Sequence, residues 1–185
     1  MVSRDRRSEG VTATTATVPA TATEAFDFDA LYRDARDDVF AYAATLMRDR
    51  AAAEDVTAMA FERAYKKRSR FNARRGSPRA WLFGIARNAA LDELRRRKRV
   101  ATAEIPGRVD EPGPDEAAEA AAQRDAVRAA LSSLPAKDRE VIALKYHADL
   151  SNAEIADVLG VSASNAGTLL HRAMTKLREA VDDRA

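Results

Sequence analysis

SNAEIADVLGVSASNAGTLLHRA, residues 151–173, decides how the C-terminal half of this chain folds. Ser151 offers a hydroxyl to the first free N–H groups of a helix, and Glu154 stands three residues later as its capping-box partner. Ile155 and Ala156 follow, and Gly160 ends the helix after Leu159. Ser162 opens a longer helix in which Ala166, Leu169, Leu170, Ala173, Leu177 and Val181 recur at helical spacing. A small residue inside the first helix lets the second cross it closely, and glycine at the turn completes a helix-turn-helix. The second helix of such a unit enters the major groove by its N-terminal half. Opposite its apolar stripe lie Ser164, Thr168, His171 and Thr175, flanked by Asn165 and Arg172. Asparagine can bond adenine through two contacts, and hydroxyls reach base edges or phosphates. Ser151 and Ser162 would expose helix N-termini, whose N–H groups favour phosphate oxygens. Ordinary solvated surface is the alternative for His171 and Arg172.

Outward from this motif the pattern stays helical. Ala118, Ala122, Val127 and Leu131 space a helix ending at Ser132-Ser133, and Pro135 opens another with Val141, Ile142, Leu144 and Lys145 near its end. Residues 101–115 carry Pro106, Gly107, Pro112, Gly113 and Pro114 with acids between them, the composition of a linker. Its negative charge would repel DNA. Residues 1–23 have almost no large apolar side chain and cannot offset their ordering entropy, so a disordered extension is expected there.

Residues 24–100 form a second helical text. Phe28, Leu31, Tyr32, Ala35, Val39, Tyr42, Ala43 and Leu46 mark one face of a helix that stops near Asp49-Arg50. A helix over 51–69 has two stripes. Val56, Met59, Ala60 and Ala64 make a core face, while Ala58, Phe61 and Tyr65 lie roughly opposite with Glu54. Aromatics on the far side of a small-bundle helix suggest a surface that another molecule covers. Packing by a further helix of the same domain is the equal alternative. Gly76 can take positive φ, Ser77 suits an N-cap and Pro78 a first helical turn, so 71–78 is a loop feeding a third helix from Pro78 to about Lys98. Its core face is Trp81, Leu82, Ile85 and Ala89, and Trp81, Gly84, Asn88 and Arg95 fall along a flanking stripe. The expected fold is all-α: two small helical domains, 24–100 and 116–185, on a flexible linker, the second containing the helix-turn-helix.

Composition narrows the chemistry. Aromatics are only 6% of 185 residues, so each core is thin and built mostly of Ala, Leu and Val. The chain has no cysteine and two histidines, which excludes disulfides, thiolate sites and a multi-histidine metal centre. No apolar run approaches the ~20 residues of a membrane span. Arg4, Arg6 and Arg7 have no apolar stretch behind them, so a secretory signal is not indicated and the cytoplasm is the expected address. No paired carboxylates at a pocket, phosphate-binding glycine loop or Ser/His/Asp arrangement stands out, so no enzyme and no cofactor are expected. Asp37-Asp38 and Asp182-Asp183 read as helix-surface or terminal charge. The net charge of +2 hides sorting: residues 24–61 sum to about −5, 62–99 to about +11, 101–126 to about −5 and 127–185 to about zero. A basic block of that size is the footprint of a phosphate-backbone binder, although the run Arg95-Arg96-Arg97-Lys98-Arg99 alone could be a solvated face.

Glu54-Asp55 with Phe61, then RGSPRAWLFGIARN at 75–88 and the basic run, resemble the second conserved region of extracytoplasmic-function sigma factors of bacterial RNA polymerase. Leu134-Pro135, Arg139-Glu140-Val141, Ile155-Ala156, Leu159-Gly160-Val161-Ser162 and Leu170-His171-Arg172-Ala173 resemble the fourth. The resemblance covers roughly 26–182 and has no intervening third region. It implies that the 51–65 helix, through Glu54, Asp55, Ala58, Phe61, Glu62 and Tyr65, meets the clamp helices of the polymerase β′ subunit, with the β flap as a second contact. It implies that Phe71, Asn72, Arg74, Arg75, Ser77, Arg79, Trp81, Arg87 and Asn88 open the −10 promoter element and hold a flipped base. Such a base needs stacking and edge hydrogen bonds in place of its lost neighbours. Arg95, Arg96 and Arg97 would grip duplex phosphates. The helix-turn-helix would read the −35 element through Ser151, Ser162, Ser164, Asn165, Thr168, His171 and Arg172, and two domains on one linker gain avidity. The resemblance also implies an anti-sigma partner covering the polymerase-binding surfaces.

Two other readings compete. A free-standing helix-turn-helix regulator with an N-terminal sensing or dimerising domain explains the C-terminal half equally well but leaves the Arg70–Arg99 segment without a purpose. A protein-interaction module would make the basic run incidental. The chain also departs from the family, which usually has Gln at position 58 and often Lys and Arg at 167 and 169, where this chain has Ala58, Gly167 and Leu169. Losing two cations removes two possible phosphate contacts and flattens the salt dependence. The isolated 116–185 fragment, titrated against promoter DNA, is expected to bind weakly with a shallow salt slope; tight, steeply salt-dependent binding would contradict this.

Overall fold

The structure, a computed structural model, describes residues 27–101 and 118–183. The expected N-terminal extension and all but the first residue of the expected linker lie outside the described residues. Within them the chain forms seven α-helices and no strand: α1 (Phe28–Met47), α2 (Arg50–Lys67), α3 (Pro78–Ala101), α4 (Ala118–Ser133), α5 (Ala136–Tyr146), α6 (Asn152–Leu159) and α7 (Ala163–Asp182).

In the N-terminal half, Asp27 caps α1 by accepting from the N–H groups of Asp29 and Ala30. The helix buries Ala35, Val39, Tyr42, Ala43, Leu46 and Met47, the continuation of the stripe read from the sequence. Arg48 ends it in the left-handed conformation, and Asp49 at once caps α2 through the N–H of Ala52. The turn is therefore a single pair of residues, which forces α1 and α2 to lie side by side. α3 packs across both and buries Leu82, Phe83, Ile85, Ala86, Ala89 and Ala90. The many alanines on these faces keep the three axes close.

Of the two α2 aromatics, Phe61 packs within the domain and Tyr65 only in part. Phe61 is only 6% exposed, with its ring centroid 4.8 Å from that of Tyr32 and 6.4 Å from that of Phe28. The first turns of α1 reach over it, because Phe28 and Tyr32 extend the α1 stripe toward the N-terminus. The reading of Phe61 as an open docking residue is corrected accordingly. Tyr65 packs edge-on against Phe28 at 5.3 Å but stays 52% exposed.

In the C-terminal half, α4, α5 and α6 all pack on α7. The capping box of Ser151 and Glu154 is present, Gly160 closes α6 with φ 69°, and Ser162 caps α7 through the N–H of Asn165. Ala166 and Ala173 are buried, with Leu169, Leu170 and Leu177 packed against the core. The two halves also touch: α1 lies on α5 and α3 on α6, and their buried residues merge into one apolar cluster.

Glu93 is the main buried carboxylate of α3. It is 7% exposed and accepts two hydrogen bonds from Arg96, both 2.7 Å, and one from Arg97 at 2.8 Å. Arg97 also donates to Asp49 at 2.8 Å, which ties the α1–α2 turn to the end of α3. These bonds, those from Arg96 foremost, hold the Glu93 carboxyl down from its ordinary 4.5 to about 2. Because the folded value is depressed, the stabilisation is complete above the ordinary value and disappears as pH falls toward the folded one. Glu93→Gln should cost about 1–3 kcal/mol at neutral pH. It should also remove part of the stability loss between about pH 5 and pH 2, as read by thermal melts followed by circular dichroism.

Candidate nucleic-acid interface

The loop between α2 and α3 is built of two short 3-10 turns, Arg68–Arg70 and Ala73–Arg75. Asn72 caps the second by accepting from the N–H of Arg74. Phe71 is buried, and its ring meets Trp81 edge-on with centroids 5.6 Å apart. Phe71 thus anchors the loop on α3 rather than facing solvent. Gly76 has φ 143°, a backbone state that L side chains rarely adopt, so glycine is required at the bend into α3. Ser77 caps that helix, accepting from the N–H of Ala80 at 3.1 Å.

The expected −10 residues separate into two groups. Asn72, Arg74 and Arg75 are exposed on the loop, and Asn88 is exposed on α3, two turns beyond half-buried Trp81. Gly84 lies between them on the same stripe, and nothing stands within 4 Å of where its Cβ would be. Among the described residues, then, no side chain covers the stripe at Gly84. Ser77, Arg79 and Arg87, by contrast, are engaged by the C-terminal half. The Ser77 hydroxyl donates to Glu154, and Arg87 donates to Glu140 at 2.7 Å. Arg79 donates to the carbonyls of Ala148 and His147 and to Asp38.

The basic run divides in the same way. Among the described residues Arg95 makes only a long contact of 3.4 Å to Asp92, and it is well exposed. Arg96 and Arg97 are tied to Glu93, and Arg97 to Asp49 as well. Sequence reasoning missed these acids as partners. Glu93 could have been found, since it sits three and four residues before the two arginines, the spacing of helical ion pairs. Glu140 and Asp38 had no such local signal.

On α2, Glu54, Asp55, Ala58 and Glu62 are exposed. A shallow depression of about 530 Å³ runs between α2 and α3, lined by Asp55, Ala58, Met59, Glu62, Glu93 and Arg96. Most of its charged rim is acidic. Beside this face, the Arg68 guanidinium lies 3.9 Å from the centre of the exposed Tyr65 ring.

On α7, Ser164, Asn165, Thr168, His171 and Arg172 are all exposed, as the stripe arithmetic required. The hydroxyls of Thr168 and Thr175 donate to the carbonyls of Ser164 and His171, one turn back. The hydroxyls of Ser151 and Ser162 serve their caps, leaving other N–H groups of those first turns to meet an anion. No helix among the described residues is long and apolar enough to cross a membrane.

A basic loop with an open helical stripe in one half and an exposed recognition helix in the other define a two-module helical DNA-binding protein. Residues 31–100 match sigma-70 region 2 and residues 124–177 match sigma-70 region 4. The ECF RNA polymerase sigma factor SigL of Mycobacterium tuberculosis is 35% identical over 162 residues, covering 86% of this chain and 91% of SigL. Among solved structures, the sigma factor RpoE of Bartonella quintana, in complex with the anti-sigma factor NepR, superposes with a TM-score of 0.72 at 24% identity, covering 84% of this chain and 97% of that one. CnrH, in complex with the cytosolic domain of CnrY, superposes with a TM-score of 0.61 at 26% identity, covering 85% and 89%. The chain belongs to the ECF sigma factors of RNA polymerase. Its activity is promoter-specific initiation of transcription, and its partners are core RNA polymerase and promoter DNA. The family is generally non-enzymatic.

Gly167 shows that one departure from the family has no packing cause. A Cβ at this position would meet Asn152 Nδ2 at 3.5 Å, an ordinary contact. Gly167→Ala should therefore raise the melting temperature, gaining up to about 1 kcal/mol of helix propensity. A destabilised variant would show that α6 and α7 need the closer approach.

Proposed function

We propose that residues 24–100 open the −10 element and dock on the polymerase clamp, while residues 116–185 read the −35 element. The observation that carries this reading is the exposure of Asn88 on the Trp81–Gly84 stripe, next to a loop that presents Arg74 and Arg75. Trp81 offers a partly open aromatic face for stacking, Asn88 offers a donor and an acceptor to a base edge, and the loop arginines attract the strand backbone. Arg95 extends that cationic path along α3. The acidic depression on α2, with Glu54 and Tyr65 beside it, supports a clamp contact through a basic, partly apolar helix. In α7, Asn165 and Arg172 are the side chains suited to base edges, and Ser164, Thr168 and His171 to edges or phosphates.

The chain supplies recognition and strand opening, and the polymerase supplies the chemistry of RNA synthesis, so no catalytic residue is assigned. Work beside RNA polymerase supports a cytoplasmic address. An anti-sigma protein would silence it by covering α2; the structural neighbour RpoE of Bartonella quintana was solved in complex with the anti-sigma factor NepR. The test is run-off transcription with core polymerase. Asn88→Ala should lower initiation about tenfold or more, the worth of a two-contact base edge, while still joining core enzyme on native gels. Tyr65→Ala should instead weaken assembly with core. Unimpaired initiation by Asn88→Ala would remove the base-pocket assignment.

A further inference from the structure

The contacts between the two halves are not spread at random over the −10 set. They take Ser77, Arg79 and Arg87, and each is met by an oxygen of the C-terminal half. Glu154 accepts from Ser77, Glu140 accepts from Arg87 at 2.7 Å, and the carbonyls of His147 and Ala148 accept from Arg79. Carboxylates and helix-end carbonyls are the same class of acceptor as phosphate oxygens. The faces needed for the other tasks stay uncovered: Glu54, Asp55, Ala58 and Tyr65 on α2, and Ser164, Asn165, Thr168, His171 and Arg172 on α7, are exposed.

We infer that the C-terminal half acts as an intramolecular phosphate mimic that withholds Ser77, Arg79 and Arg87 from the −10 strand, while leaving the polymerase face and the recognition helix accessible. The inference rests on assigning these three residues to the −10 strand. It orders events: the closed chain can meet polymerase and the −35 element first, and strand capture follows release of the clasp.

Two features suit the contact to reversal. The Arg87–Glu140 pair is largely shielded from water, so its attraction is partly offset by desolvation. Tyr42 is buried beside that pair, its hydroxyl without a well-formed hydrogen bond among the described residues, and burial together with the nearby Glu140 carboxylate raises its pKa well above the usual value. Opening would give that hydroxyl to water. A further polar contact joins the halves at His147, whose Nε2 lies 3.3 Å from Thr45 Oγ1. The same Thr45 hydroxyl lies 2.9 Å from the carbonyl of Ala41.

The full chain has no cysteine, so cysteines placed at exposed Ala51 and Asp182 can carry a fluorophore pair that reports the distance between the halves. Glu140→Gln with Glu154→Gln removes both charges, and glutamine at 154 still completes the capping box. This variant should show lower energy transfer than the parent and about tenfold tighter binding to a short fluorescent single-stranded oligonucleotide of mixed sequence, with native helicity. Swapping the charges with Arg87→Glu and Glu140→Arg should restore the transfer. Unchanged transfer in the Gln variant overturns the clasp, and lower transfer without tighter DNA binding overturns its inhibitory role. Arg79→Ala and Arg87→Ala, tested in run-off transcription with core polymerase, separate the two failures. If they initiate like the parent, the −10 assignment itself has failed; if they are crippled while the Gln variant gains nothing, only the clasp has.

Discussion

Helix α3 must satisfy three surfaces with one cylinder of 24 residues. One side buries Leu82, Phe83, Ala86, Ala89 and Ala90 against α1 and α2. Another presents Trp81, Gly84 and Asn88 beside the basic loop, and a third turns Arg87 to the C-terminal half. The basic end could not pack against the bundle without a buried counter-charge, and Glu93 supplies it to Arg96 and Arg97 together. With Asp49 bound to the same Arg97, the position of α3 is fixed relative to the turn that sets the α1–α2 pair. The geometry of the proposed −10 face and of the proposed polymerase face on α2 both follow from that anchoring.

The basic block of the sequence is accordingly not one continuous DNA-binding surface. Part of it is internal scaffolding, at Arg96 and Arg97. Part is held by the other half of the chain, at Arg79 and Arg87. Arg74, Arg75 and Arg95 are left on the exposed side. Net charge attracts a polyanion whatever the partner of each arginine, but strand capture depends on which guanidinium groups are unpaired when DNA arrives. A sigma factor whose strand-binding cations are partly satisfied internally gains selectivity, since non-specific binding to the genome competes with promoter search.

Most of the secondary structure was legible because its signals are local. The Ser151–Glu154 capping box, the left-handed Gly160 and the Ser162 cap each involve residues within a turn of one another, and they appear where the spacing put them. The site was legible less evenly. The exposed face of α7 followed from helical periodicity, and Asn88 and Trp81 were singled out as candidates by the motif. Phe61 was left between two readings because periodicity within α2 cannot tell a solvent-facing stripe from one that a neighbouring helix covers, and only the reach of Phe28 and Tyr32 decides it. Glu140 stood in the sequence only as part of the Arg139-Glu140-Val141 motif, with nothing to mark it as a partner of Arg87, 53 residues away. Contacts of that range depend on how two modules dock, which no local pattern encodes.

The central claim is that α3 and its loop hold a promoter strand in the separated state. Permanganate footprinting of a promoter bound by polymerase carrying this chain tests it most directly, because the reagent oxidises thymines only when they are unstacked. Reactive thymines in the −10 element with the parent chain, suppressed by Asn88→Ala at equal occupancy, are predicted. A bound complex whose thymines stay protected, or an Asn88→Ala variant with the parent's reactivity, would contradict the account.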